Sequence, residues 1–250
     1  MSDVGTMKVF GHCDDVTWVG VESDQERVVL VVPDKFNRNA PSVRALGAPA
    51  DTGLSLIQYM CERIGIPDLE GLDVLDFGCG SRFADSIINR QVRLKTYVGV
   101  DVYQEMIDFL SSNVADSRLS FFHINARNPY YNKNGAPLTR DMLLPIGNKM
   151  FDIICMFSVI THQLPEDAAA IFATLRRYIR DQGWLFFSAS LEEGDFGYRE
   201  NYPESPTNLS IYSPALLAKL LEMSGWRVLS IAQRHPRGLP ILDSLLCVPT

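Results

Sequence analysis

The chain lacks most of the marks that would place it outside a reducing, aqueous compartment. No apolar run approaches the roughly 20 residues of a membrane-spanning helix. The opening "MSDVGTMKVFGHCDD" has no basic segment followed by an apolar one, so a cytoplasmic protein without a secretory signal is expected. Cysteines number only five, scattered and without a C-x-x-C pair. That excludes a disulfide framework and fits reduced thiols. Cys61, Cys155 and Cys247 stand in apolar runs and read as small core residues. Positive charge is scarce: 23 Lys and Arg against 30 Asp and Glu leave a net −7. The one basic pair, Arg176-Arg177, reads as a solvated helix face, and a nucleic-acid backbone wants a basic surface, so no such partner is expected. Internal repeats and low-complexity tracts are also missing. His12, Cys13, Asp14 and Asp15 are adjacent rather than spaced to converge, so no metal is expected.

What is present is enough apolar residue, 46% of 250, for one large α/β domain with an appendage. Residues 1–50 read as that appendage. Two short strands, 16–23 and 27–33, flank a polar turn at Asp24-Gln25, and "PDKFNRNAPSVRALGAPAD" follows as a linker or ordered loop. Residues 51–250 read as the main domain. Thr52 or Asp51 caps a helix carrying Leu54, Ile57, Cys61 and Ile64 at helical spacing.

Short, nearly all-apolar runs come next, at 72–77, 96–101, 118–124, 151–157 and 183–190, with two more at 226–232 and 241–248. Strands buried on both faces read this way. Helices separate most of them. The clearest spans "PEDAAAIFATLRRYIRDQG", where Ala168, Ile171, Phe172, Leu175 and Ile179 form one stripe, Pro165 starts the segment and Gly183 ends it. Another starts at Ser213-Pro214 and stops at Gly225. The expected fold is α/β, a doubly wound, mostly parallel seven-stranded sheet with ligands at the strands' carboxyl ends.

The stretch "DVLDFGCGSRFADS" (73–86) puts a carboxylate, Asp76, two residues before a glycine pair, Gly78 and Gly80, around Cys79. The glycines allow a sharp turn and let a ligand lie against bare backbone. A dinucleotide site needs a third glycine, which would fall at Phe83, and Asp76 would repel a pyrophosphate. A cationic ligand reverses that sign. S-adenosylmethionine carries an ammonium and a sulfonium and no phosphate. Asp101, at the end of "YVGVD", can accept both hydroxyls of a ribose, which fits either ligand.

With these residues in view, residues 52–250 resemble the class I S-adenosylmethionine-dependent methyltransferases. "VLDFGCG" is similar to the family's first motif and "VGVD" to its second. The segment "FDIICMFSVITHQLPEDAAAIFATLRRYIRDQGWLFFS" is similar to its fourth strand, following helix and fifth strand. The chain departs where the family often has a further glycine, here Arg82, in a loop one residue shorter than usual. The resemblance implies S-adenosylmethionine as cofactor, held by Asp76, Gly78, Cys79, Gly80, Asp101, Val102, Asn125, Ala126, Phe157 and Ser158. Asn125 would meet the adenine, unless it is a plain loop residue; Phe157 and Ser158 would lie beside the methyl group.

"NPYY" (128–131) looks like an amine-holding motif but follows the third strand rather than the fourth and lacks the second proline. It belongs to a polar insertion, 127–149, whose length suggests a cover over the substrate. His162, past the fourth strand, is the candidate general base for a hydroxyl acceptor, or else a residue that packs the loop before Pro165. Tyr130, Tyr131 and Tyr198 stand in the segments expected to shape a small-molecule or sugar-containing acceptor site. Oxygen is the favoured atom. A non-catalytic cofactor-binding module and a nucleotide-dependent oxidoreductase remain the alternative readings.

Overall fold

Because their side chains must be covered on both faces, the apolar runs are central strands flanked by helices. A computed structural model describes residues 29–38, 41–202, 204, 207–233 and 242–250, with the backbone of 8–13 and 16–20. The elements in order are β1 (Lys8–Cys13), β2 (Val16–Gly20), a 3₁₀ turn (Asp34–Phe36), α1 (Pro41–Arg44), α2 (Pro49–Ile64), β3 (Leu69–Phe77), α3 (Arg82–Asn89), β4 (Leu94–Asp101), α4 (Gln104–Asn113) and β5 (Leu119–His123). They continue with β6 (Phe151–Met156), a second 3₁₀ turn (Ile160–His162), α5 (Pro165–Leu175), β7 (Ile179–Leu191), β8 (Tyr198–Glu200), β9 (Ser210–Tyr212), α6 (Pro214–Glu222), β10 (Trp226–Ala232) and β11 (Asp243–Pro249).

Seven strands form the sheet in the order β10-β11-β7-β6-β3-β4-β5, and β8 and β9 add a small hairpin beside β7. Pairing is parallel from β7 to β5 and antiparallel at β10 and β11. The expected doubly wound sheet is therefore present. Its two faces carry the two halves of the core, one built around Leu75, Ile154, Phe172 and Trp226, the other around Met60, Tyr97, Ile153 and Phe186. The strand order switches sides between β3 and β6 while the strands stay parallel, so the crevice where such folds bind ligands opens at the carboxyl ends of β3, β4 and β6.

Several expectations change. The expected strand at 27–33 is not formed over 29–33; the N-terminal hairpin instead pairs Lys8 with Gly20, one strand earlier. The expected turn at Asp24-Gln25 and the side chains of the His12–Asp15 group lie outside the described residues. Of the two readings for the segment before α2, an ordered loop fits the described residues 29–38 and 41–48, which include the 3₁₀ turn and α1. Phe36 and Val43 are buried, and the Asn89 amide grips Leu30 by both its backbone N–H and carbonyl. Helix α2 starts at Pro49 with Ala48 as its cap, so neither Thr52 nor Asp51 caps it.

Helix α5 stops at Leu175, and Ile179 belongs to β7. The reason is long-range. Arg176 donates to the carbonyls of Gly225 and Thr250, and the exposed Arg177 to those of Arg140 and Met142, so this pair also clamps distant backbone.

That clamp also divides the 127–149 insertion. Its first part is a tight loop in which Arg127 and Asn128 pair with Ala136 and Asn132. Its second part is docked: Leu144 and Ile146 are buried, and Tyr178 Oη accepts from the Leu144 N–H at 2.9 Å. The expectation of a cover can then apply only to about the first half. Leu144→Ala is expected to lower stability by about 2–5 kcal/mol, as for a core leucine. Denaturant unfolding measures it; a loss near zero would mean that this half is a free loop.

Candidate functional site

Two glycines in the left-handed region end β3 abruptly, Gly78 at φ 76° and Gly80 at φ 54°. Space excludes side chains here as well: a Cβ on Gly78 would lie 2.5 Å from Val159 Cγ2, and one on Gly80 would lie 3.0 Å from Arg38 Nη2. The turn hooks onto β4 through the N–H groups of Gly78 and Cys79, both donating to the Val100 carbonyl. Next to it, two residues past the end of β6, Ser158 is held at φ 56° with its N–H on Ser188 Oγ at 2.8 Å. A non-glycine residue in that conformation stores strain, and such residues concentrate at ligand sites.

The strand ends enclose a cavity of about 540 Å3. Asp76, Gly78, Cys79, Gly80, Asp101, Val102, Ala126, Phe157, Ser158, His162, Tyr130 and Tyr131 all line it, so one site gathers most of the sequence candidates. Two candidates fall outside. Asn125 is turned into the insertion: its side-chain oxygen accepts from Asn132 Nδ2 at 3.1 Å and its carbonyl from the Ala136 N–H. Tyr198 belongs to the β8–β9 hairpin, with its hydroxyl beside Ser210 and Glu200 and its ring edge-on to Tyr212. Phe83, where a dinucleotide site needs glycine, is buried and packs on Phe157 at 5.2 Å between ring centroids.

The two strand-tip acids differ in their surroundings. Asp101 is 1% exposed and receives Arg38 Nη2 at 2.6 Å, the Gly80 N–H at 3.0 Å and the Tyr103 N–H at 3.0 Å. Asp76 has no cation within ion-pair distance among the described residues; Tyr97 donates to it at 2.8 Å. Burial pushes its carboxyl up to about 7, against the opposing pull of the Tyr97 hydrogen bond. On the far side, His162 Nδ1 sits 2.9 Å from the Thr207 carbonyl. A carbonyl can only accept, so Nδ1 carries the proton and the neutral ring keeps Nε2 as an acceptor. Burial lowers this imidazole's pKa further, only partly offset by the Thr207 and Asn208 backbone.

Sequence reading missed several lining residues: Phe36, Arg38 and Val43 from the N-terminal segment, Arg82, and Gln163, Ser188 and Asn208 near His162. Arg38 is held from two sides, by Asp101 and by the Tyr131 ring 4.8 Å away. Its partners are 63 and more residues distant, so no local signal marks it. Arg82 was visible only as a departure from a motif.

Against known proteins, residues 35–231 match the family described as "Methyltransferase domain". Similar solved structures include an S-adenosylmethionine-dependent methyltransferase from Mesorhizobium loti, at 15% identity and TM-score 0.53, covering 77% of this chain and 97% of that one. Magnesium protoporphyrin IX methyltransferase from Synechocystis, solved with its cofactor bound, matches at 17% identity and TM-score 0.51 over 80% and 79% of the two chains. A putative methyltransferase from Haloferax volcanii, solved with the Trm112 activator, matches at 14% identity and TM-score 0.56 over 88% and 99%.

The Arg38–Asp101 pair bears directly on stability. Arg38→Ala leaves a buried carboxylate with backbone donors and no cation, which is expected to cost on the order of 3 kcal/mol. A loss well under about 1 kcal/mol by chemical denaturation would mark the pair as a solvent-screened contact instead.

Proposed function

Because the chain belongs to the S-adenosylmethionine-dependent methyltransferases, we propose that it methylates an oxygen atom of a small or sugar-containing acceptor in the cytoplasm. The residues of the cavity suit the cofactor. Asp76 is a buried acid without a cation at the cavity wall, which fits an ammonium. The glycine turn leaves bare backbone at the cavity, at positive φ angles that favour glycine. Asp101 offers a carboxylate to a ribose, and Val102 and Ala126 stand beside it for the base. When bound, the cofactor supplies a methyl carbon activated by the adjacent sulfonium. The protein's part is to align the acceptor with that carbon and to exclude water.

One observation supports the choice of oxygen, the contact of His162 Nδ1 with the Thr207 carbonyl at the cavity. With Nδ1 donating to the Thr207 carbonyl, the neutral ring would present Nε2 as the acceptor for the proton of a hydroxyl. Gln163, Ser188 and Asn208 line the cavity around it, and Tyr130 and Tyr131 add aromatic wall, a mixture suited to a hydroxylated molecule with some apolar surface.

Incubation with methyl-labelled S-adenosylmethionine and a panel of phenols, hydroxy acids and sugar-bearing compounds tests the proposal. Label on an acceptor oxygen supports it; label on nitrogen alone refutes the choice of atom, and cofactor binding with no transfer points to a non-catalytic module. At saturating cofactor the rate should rise with pH through a midpoint below 6.5, then level, because the base must be neutral. His162→Ala should lower that rate about 10²–10⁴-fold while cofactor affinity barely moves. A near-normal rate with an unchanged profile would remove His162 from the reaction.

A separate pH dependence is expected for cofactor binding. An ammonium prefers the ionised form of Asp76, and the buried acid is half protonated near pH 7. Affinity for S-adenosylhomocysteine should therefore climb as pH rises toward and through about 7 and then flatten. The sign for folding is opposite. A carboxyl raised above its unfolded value of 3.8 binds more protons when folded, so its contribution to stability fades as pH rises from 3.8 toward about 7. Calorimetry from pH 5.5 to pH 8.5 checks the first sign; Asp76→Asn should give weaker, pH-flat binding, and an unchanged slope in that variant would acquit Asp76.

A further inference from the structure

The glycine turn leads into an arginine that has no partner. Arg82 lines the cavity at the start of α3, and no hydrogen bond or ion pair reaches its guanidinium among the described residues. The other nearby guanidinium, Arg38, is committed to Asp101 at 2.6 Å. Arg127 also lines the cavity but is exposed, on the insertion. Arg82 differs because it is half-buried, and its position is fixed by packing. Its stem lies against α2 so closely that a Cβ on Gly53 would come within 2.9 Å of Arg82 Cγ. A guanidinium has five donors, and at Arg82 no protein group among the described residues meets them at the cavity wall.

The neighbouring acid sharpens the point. Asp76 and Arg82 line the same cavity and feel each other's charge, yet they do not approach within ion-pair distance. Burial holds the guanidinium down to about 10, against the pull of Asp76. An acid and a base that share a cavity without pairing leave room for a ligand with charges of both signs. An α-amino acid group has an ammonium and a carboxylate on one carbon, which matches one carboxylate and one guanidinium.

We propose that Arg82 binds the carboxylate of the cofactor's amino-acid end, with Asp76 taking its ammonium. This rests on the methyltransferase reading above. It turns the departure from the family's glycine pattern into a function: a side chain supplies the anion contact at a place where backbone alone would otherwise line the cavity. It also makes Arg82 a specificity residue, because a ligand without the carboxylate leaves the guanidinium unmet.

The test compares two probes, S-adenosylhomocysteine and its decarboxylated analogue S-adenosyl-3-thiopropylamine, by calorimetry. The unaltered protein should prefer the carboxylate-bearing ligand by about 10- to 100-fold, the range for one charge-assisted contact. Arg82→Gln should weaken that ligand alone and reduce the preference to a few-fold, while Arg82→Lys keeps an intermediate preference. Undiminished binding of the analogue shows that each variant is folded. An equal preference in all three proteins overturns the assignment, and so does equal weakening of both ligands. If the unaltered protein binds neither, the cofactor reading itself fails and this inference falls with it.

Discussion

The framework of the site depends on the carboxylate of Asp101. Taking a carboxylate out of water costs several kcal/mol unless donors replace the lost hydration. Three donors do so here, and each comes from a different segment: Arg38 from the loop before α1, Gly80 from the turn after β3, and Tyr103 from the start of α4. One charge thus fixes three pieces of chain around the crevice. Ribose hydroxyls would meet a carboxylate that is already hydrogen-bonded. On the proposed reading, cofactor entry would exchange contacts at Asp101, with a modest net gain per bond. Tyr131, stacked on Tyr103 at 5.3 Å and beneath the Arg38 guanidinium, ties the insertion into the same framework.

The second acid works in the opposite way. Asp76 is met by the Tyr97 hydroxyl and the Cys155 thiol, which are neutral donors, and the low polarity around it favours its protonated form. Parallel strands put these two acids on adjacent tips, Asp76 pairing in register with Gly99 and Asp101 with His123. A sheet that is buried on both faces can place two carboxylates side by side and still give them distinct electrostatics, because one finds a guanidinium and the other does not.

Much of this was legible in the sequence, for a physical reason. Strands covered on both faces must be apolar throughout, so the runs ending in Phe77, Asp101 and Met156 announce themselves, and polar residues at their tips stand out. The rest depends on contacts between distant residues. Ile179 completes a helical stripe, yet Arg176 and Arg177 bind carbonyls of Gly225, Thr250, Arg140 and Met142 and end the helix early. Asn125 has the residue type expected to meet an adenine, but its side-chain oxygen accepts from Asn132 within the insertion and it does not line the cavity. Arg38 and Arg82 are ordinary surface residues in a one-dimensional reading; only the fold brings them to the cavity.

The crevice at the ends of β3, β4 and β6 suits a cationic, phosphate-free nucleoside ligand. Titration of the unaltered protein with S-adenosylhomocysteine and with NAD, in the same buffer, tests it most directly. The account predicts saturable one-to-one binding of S-adenosylhomocysteine and no measurable heat from NAD. Binding of NAD in preference to S-adenosylhomocysteine would contradict it.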